Sequence, residues 1–138
     1  MFLTACNSNE MEVKYTLCKD KVSGRGLPGE DERYLTYEAN GNTLKVKMYN
    51  HLTNCGTEEI TVDFTHDEEN QINVKLTEIG LSANCVCPAD VSFTLSNLGK
   101  GETYDCIIES NSAGDTIYHQ ILCFTFIMKN GESGKITF

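Results

Sequence analysis

Two cysteines one residue apart, Cys85-Val86-Cys87, form the local arrangement in this 138-residue chain best suited to carry chemistry. Two thiolates flanking a single residue can bind Cu(I), or can cycle between dithiol and disulfide. The same pair can instead anchor disulfides to two other cysteines, its commoner use in an exported protein. Seven cysteines in total is high for a reducing cytosol, and no Cys-x-x-Cys pair stands at zinc spacing from a second Cys or His pair. Disulfides are therefore expected, drawn from Cys18, Cys55, Cys85, Cys87, Cys106 and Cys123. Cys55 is the natural partner for Cys85 or Cys87, and Cys18 could take the other. A bridge from Cys55 to either would close a loop of about 30 residues and stabilise by roughly 2–4 kcal/mol. Six cysteines pair in many ways, and spacing alone does not choose among them.

Other chemistry has little to stand on. His51, His66 and His119 are far apart in sequence, the first two read as loop-edge residues and the third as a strand residue, so no histidine metal site is expected. There is no Gly-x-Ser-x-Gly elbow, no His-Glu-x-x-His and no phosphate-binding glycine loop. No catalytic residue, cofactor or metal follows from the motifs. Twenty acidic against 11 basic side chains give a net charge of −9, which repels phosphate backbones and excludes nucleic acid as a partner. The acidic clusters Glu30-Asp31-Glu32 and Asp67-Glu68-Glu69 read as solvated turns, since neither has the spaced ladder of a calcium loop.

The elements that must position these residues are strands. Apolar residues recur at i, i+2 rather than at i, i+3, i+4, which predicts an all-β chain. Met11, Val13, Tyr15 and Leu17 make a first strand with one buried face. Asn40-Gly41 is the strongest hairpin signal, and folding about it pairs Tyr37 with Leu44 and Leu35 with Val46. A second hairpin around residues 66–70 pairs Phe64 with Ile72 and Val62 with Val74. Each hairpin is apolar on one face, so each must cover that face with another sheet, and the expected architecture is an antiparallel sandwich of about 7–9 strands. Val91, Phe93 and Leu95 give a further inward row. A hairpin turning at Gly114-Asp115 sets Cys106 opposite Cys123, within reach of a disulfide. Residues 117–128 are apolar on both faces near their centre, so this strand is either covered twice or exposes a patch.

After Leu95 comes a corner, Leu98-x-x-Gly101-x-x-Tyr104, that resembles the passage between strands E and F of immunoglobulin and fibronectin type III domains. The resemblance spans Val91 to Ile108 and implies an immunoglobulin-like sandwich in which the Tyr104 hydroxyl bonds back to the backbone upstream. It departs from antibody domains in having no Trp. At the N-terminus, Leu3-Thr4-Ala5-Cys6 resembles the lipobox of bacterial lipoproteins, in which the cysteine is diacylated. The basic and apolar regions that precede a lipobox are missing, as a start placed too late would explain. With Cys6 taken by lipid, six cysteines remain. The expected organisation is a lipobox remnant and polar tether over 1–10 and one sandwich domain over 11–138.

Taken together, the Cys-x-Cys segment, the strand after it and the corner are similar to small envelope proteins of the Bacteroides type. That resemblance implies a fold and an outer-membrane location, on the periplasmic or the outer side, and supplies no catalytic residue. Asp115-Thr116-Ile117 is also similar to the Asp-Ser/Thr-aliphatic site of O-glycan attachment in those bacteria, with a plain turn as the competing reading. The function expected is non-enzymatic: a lipid-anchored envelope domain that binds a protein or a glycan, or associates structurally, and touches membrane only through Cys6. Its working surface would be the loop 23–31 or the Cys85-Val86-Cys87 loop. Two alternatives stand beside it, a secreted protease inhibitor presenting a disulfide-stiffened loop and a Cu(I) or redox protein using Cys85 and Cys87.

Overall fold

The structure, a computed structural model, describes residues 11–18 and 32–138. Cys6, the tether after it and the 23–31 loop lie outside the described residues. Nine strands occur among them: β1 Val13–Thr16, β2 Tyr34–Asn40, β3 Thr43–Asn54, β4 Thr57–His66, β5 Gln71–Gly80, β6 Val86–Leu95, β7 Thr103–Ser110, β8 His119–Ile127 and β9 Ser133–Thr137. No described residue is helical, and no helix is long and apolar enough to cross a membrane.

Five strands form one sheet in the order β9-β2-β3-β6-β1, and four form the other in the order β4-β5-β7-β8. The sheets face one another over a single hydrophobic core, a sandwich-like arrangement. Alternation explains the layers. On β3, Leu44, Val46 and Met48 are buried while Lys45 and Lys47 between them are exposed; on β5, Ile72, Val74 and Leu76 are buried in the same way. Each such side chain contributes about 1.5–3 kcal/mol on burial. Neighbouring strands run antiparallel except β5 and β7, which run parallel.

Both early hairpins slip from the expected register by two residues along the partner strand. Asn40 pairs with Thr43, so the turn residues are Gly41 and Asn42, and Tyr37 lies opposite Val46 rather than Leu44. Phe64 lies opposite Val74 rather than Ile72, around the turn 67–70. A slip of two preserves the side-chain faces, so the buried rows are the expected ones. The turn 67–70 is held by the Asp67 carboxylate, which accepts from the backbone N–H groups of Glu69 and Gln71, both at 2.9 Å.

Two bulges do change faces. Between Met48 and His51 the β3–β6 register shifts, with Asn50 at φ 60°. The extra residue puts odd-numbered His51 and Thr53 on the buried row begun by Leu44, Val46 and Met48. A second shift, between Ile108 and Glu109, leaves Ile121 of β8 without a partner residue. β8 proves to be an edge strand: Leu122, Phe124 and Phe126 face the core, and Cys123 and Ile127 are exposed on the other face.

At the far side of the first sheet, Gly134 lies opposite Tyr37. The absent side chain gives the Tyr37 ring its place, since a Cβ there would stand 2.6 Å from the phenol oxygen. The ring stacks on Phe124 of the facing sheet, centroids 5.2 Å apart.

Candidate functional site

Four of the cysteines meet at one end of the sandwich. Cys18 follows β1 and is bonded to Cys87 on β6; Cys55, between β3 and β4, is bonded to Cys85 just ahead of β6. The bonds close loops of 69 and 30 residues. They lie side by side, with the sulfurs of Cys18, Cys55 and Cys87 all within 4.8 Å of one another. Strand pairing explains the convergence. Thr53 is directly opposite Cys87 and Asn54 opposite Val86. One step further, the Cys55 N–H donates to the Cys85 carbonyl at 3.0 Å.

A polar network locks this end. Asn54 donates from Nδ2 to the Ala83 carbonyl, and its Oδ1 accepts from the N–H groups of Ala83 and Gly56. The chain passes so tightly here that a Cβ on Gly56 would run into the Leu81 carbonyl. Glu78, 5% exposed, continues the buried row of β5 inward. Its Oε1 accepts from the Asn54 N–H at 3.1 Å, the Thr57 hydroxyl at 2.8 Å and the Ala113 N–H at 3.2 Å. Its own N–H donates to Asn111 Oδ1. A buried carboxylate with three donors is paired, and it ties three separate segments together.

Cys106 and Cys123 do not form the expected disulfide; both are free. Residues 109 and 120 pair as a hairpin turning near Gly114 requires, but the bulge at Ile121 then shifts the ladder, so Cys106 faces Phe124 and Cys123 faces Ile107. One residue of shift puts the two thiols on opposite faces of the sheet. Cys106 is buried in the core, and burial first, with Cys123 adding, pushes its pKa up to about 12. Such a thiol stays protonated and unreactive.

The corner residues are brought together. Leu98 and Tyr104 are buried, Gly101 has φ 81°, and the Gly99 N–H donates to the Tyr104 hydroxyl at 2.7 Å. Asp115 makes a turn, its carboxylate accepting from the Ile117 N–H.

His51, expected at a loop edge, lies inside β3 and is 6% exposed, because the bulge at Asn50 turns it inward. Its Nε2 has no hydrogen-bond partner. Burial, with the Arg33 charge adding, lowers its pKa to about 4, so the ring is neutral at pH 7. His66 packs edge-on to Tyr104, centroids 5.1 Å apart.

The outer face of the five-stranded sheet carries a feature that no motif announces. One row crosses all five strands: Lys135 on β9, Thr36 on β2, Lys47 on β3, Ser92 on β6 and Lys14 on β1, each opposite the next. Lys45 lies beside the row and Glu38 and Glu12 flank it, around an open trough of about 910 Å³. At one margin Tyr34 and Tyr49 stack, centroids 4.4 Å apart, with Lys135 over Tyr34 and Lys47 over Tyr49. Lys135 also pairs with Glu32 at 3.3 Å, an exposed contact worth little and easily exchanged. Thr36 and Lys47 meet in the β2–β3 hairpin, but only the pairing of strands distant in sequence brings Lys135, Ser92 and Lys14 into line with them.

No protein-family model, curated protein or solved structure matches the chain.

Proposed function

We propose that this chain is a non-catalytic binding domain of a bacterial cell envelope, held to the membrane by lipid on Cys6, and that it takes an acidic glycan on the outer face of its five-stranded sheet. The row from Lys135 to Lys14 carries this reading. Four of the chain's 11 basic side chains lie on this one face of a molecule with net charge −9. Its three lysines recur on every second strand, about 9.5 Å apart at ordinary strand spacing. Ser92 and Thr36 supply hydroxyls between them. Lysines at that backbone interval, each on a long flexible stem, suit a polymer whose carboxylates recur at every second sugar, and the stacked tyrosines offer an apolar margin for a sugar face. Glu38 and Glu12 at the flank penalise a ligand lying in the wrong register.

The immunoglobulin or fibronectin type III reading of the sandwich rests on its corner, where Gly99, in the connection from β6 of one sheet to β7 of the other, donates its N–H to the Tyr104 hydroxyl. The parallel β5–β7 pair is where the chain departs from that pattern.

Calorimetric titration with uronate oligosaccharides should show saturable binding that weakens with salt, while neutral oligosaccharides of equal length give none. Lys47→Glu should lower the affinity about tenfold or more, the cost of turning one attraction into a repulsion. Equal affinity for acidic and neutral sugars, or an unaffected Lys47→Glu protein, rejects the site. The anchor is tested separately: expressed with its own leader, the protein should partition into detergent, and Cys6→Ser should move it to the aqueous phase. A Cys6→Ser protein still in detergent rejects the anchor.

A further inference from the structure

We propose that the cluster at the closed end is a second, redox-gated site: with both disulfides reduced, Cys18, Cys55 and Cys87 bind one Cu(I) ion as three converging thiolates. The sequence suggests only the pair Cys85 and Cys87 as sulfur ligands. The fold instead brings together sulfurs from three segments, β1's end, the β3–β4 crossing and β6, within 4.8 Å of one another. A metal with thiolates at about 2.3 Å sets its sulfurs roughly 4 Å apart, so side-chain relaxation alone can open the site to the ion.

The scaffold does not depend on the sulfur bonds. Cys87 is held by the β3–β6 ladder opposite Thr53. Cys55 and Cys85 are held by their backbone hydrogen bond and by Asn54, whose side chain pins Gly56 and Ala83 on either side. Cys18 stands two residues beyond Thr16, which the β1–β6 ladder holds opposite Asp90, so backbone pairing keeps all three cysteines near one another after reduction. Among the described residues the group contains sulfur alone, with no His or carboxylate. All-thiolate ligation selects soft cations, and three ligands satisfy Cu(I) whereas structural Zn(II) takes four. The Thr53 hydroxyl donates to the Cys87 carbonyl at 3.1 Å and lies 3.8 Å from its Sγ, which fixes the backbone that carries this ligand.

Each disulfide takes two electrons and two protons from a dithiol reductant, which leaves as its own disulfide, and the chain gains four thiols. Cu(I) then displaces the protons of Cys18, Cys55 and Cys87 to solvent without changing its oxidation state, and Cys85 remains a thiol. The site is closed while the disulfides persist, and a dithiol reductant opens it.

The test uses a background with Cys6→Ser and Cys123→Ser, which removes the N-terminal cysteine and the exposed free thiol among the described residues. The protein is reduced under anaerobic conditions, freed of reductant and titrated with Cu(I) against a chromogenic bidentate chelator. The reduced chain should withdraw one equivalent of copper and show the luminescence of a solvent-shielded Cu(I)–thiolate centre; the oxidised chain should withdraw none. Cys18→Ser should weaken retention by roughly a hundredfold, and Cys85→Ser should leave it within about threefold, because Cys85 lies outside the three-sulfur group. Since every protein compared is reduced, no variant loses a staple that its parent keeps. Copper held equally by Cys18→Ser, copper lost in Cys85→Ser, or a reduced chain without its strand circular-dichroism signal would each overturn the proposal.

Discussion

Acidification from pH 7 to pH 4 should cost the native protein about 3 kcal/mol through His51 alone. The folded-state pKa of His51 is lowered from 6.5 to about 4, by burial first and by the Arg33 charge second. Above pH 6.5 the ring is neutral in both folded and unfolded chains and contributes nothing to the pH dependence. Between 6.5 and 4 the unfolded chain accepts a proton that the folded site refuses, so stability falls by about 1.4 kcal/mol per pH unit. Below 4 both states are protonated and the loss levels off. Urea unfolding at pH 7, 5 and 4 checks this against His51→Leu, which keeps the volume and removes the titration. The carboxylates of this acidic chain titrate in both proteins and cancel in the difference. Parallel stability curves for the two proteins would rule out the assignment. At pH 7 the variant should be at least as stable as its parent, because it also removes a buried nitrogen with no partner.

Glu78→Ala should be the most damaging single substitution outside the apolar core, at about 3–5 kcal/mol. The change strips an acceptor from the Asn54 N–H, the Thr57 hydroxyl and the Ala113 N–H at once, and leaves three buried donors unpaired. Glu78→Gln keeps one acceptor oxygen of the same reach and should cost about half as much. Because Asn54 precedes Cys55, the damage should spread to the sulfur cluster: the Cys55–Cys85 bond should react with a small thiol faster in Glu78→Ala than in the parent. Equilibrium denaturation measures the first effect and timed alkylation the second. A loss below about 1 kcal/mol would mean that water replaces the carboxylate without penalty, and the hub reading would fail.

Glu78 also shows how far the sequence could be read. Ile72, Val74 and Leu76 define an inward row at period two, and Glu78 stands on the next position of that row. A charge there signals a buried, hydrogen-bonded carboxylate, but its three donors come from residues 54, 57 and 113, which only the folded chain brings near. The trough lysines are less legible still. Each reads as the polar partner of an alternating strand, and their alignment exists only once β9 pairs with β2 and β6 with β3.

By itself the sequence determined the strands, most of their buried faces and the corner, because these follow from alternation at period two and from turn chemistry local to the chain. The tertiary structure decided the pairings. Two-residue slips in the early hairpins were harmless, since a strand repeats its faces every two residues. One-residue bulges were not. The one at Asn50 turned His51 into the core, and the one at Ile121 set Cys106 and Cys123 on opposite faces of their sheet. A bulge answers to the twist and packing of both strands it joins, so a reading of either strand alone misses it. For the same reason the choice among disulfide pairings, and the meeting of three sulfurs at one point, waited on the β3–β6 ladder that carries Cys55 and Cys87 to the same end of the sandwich.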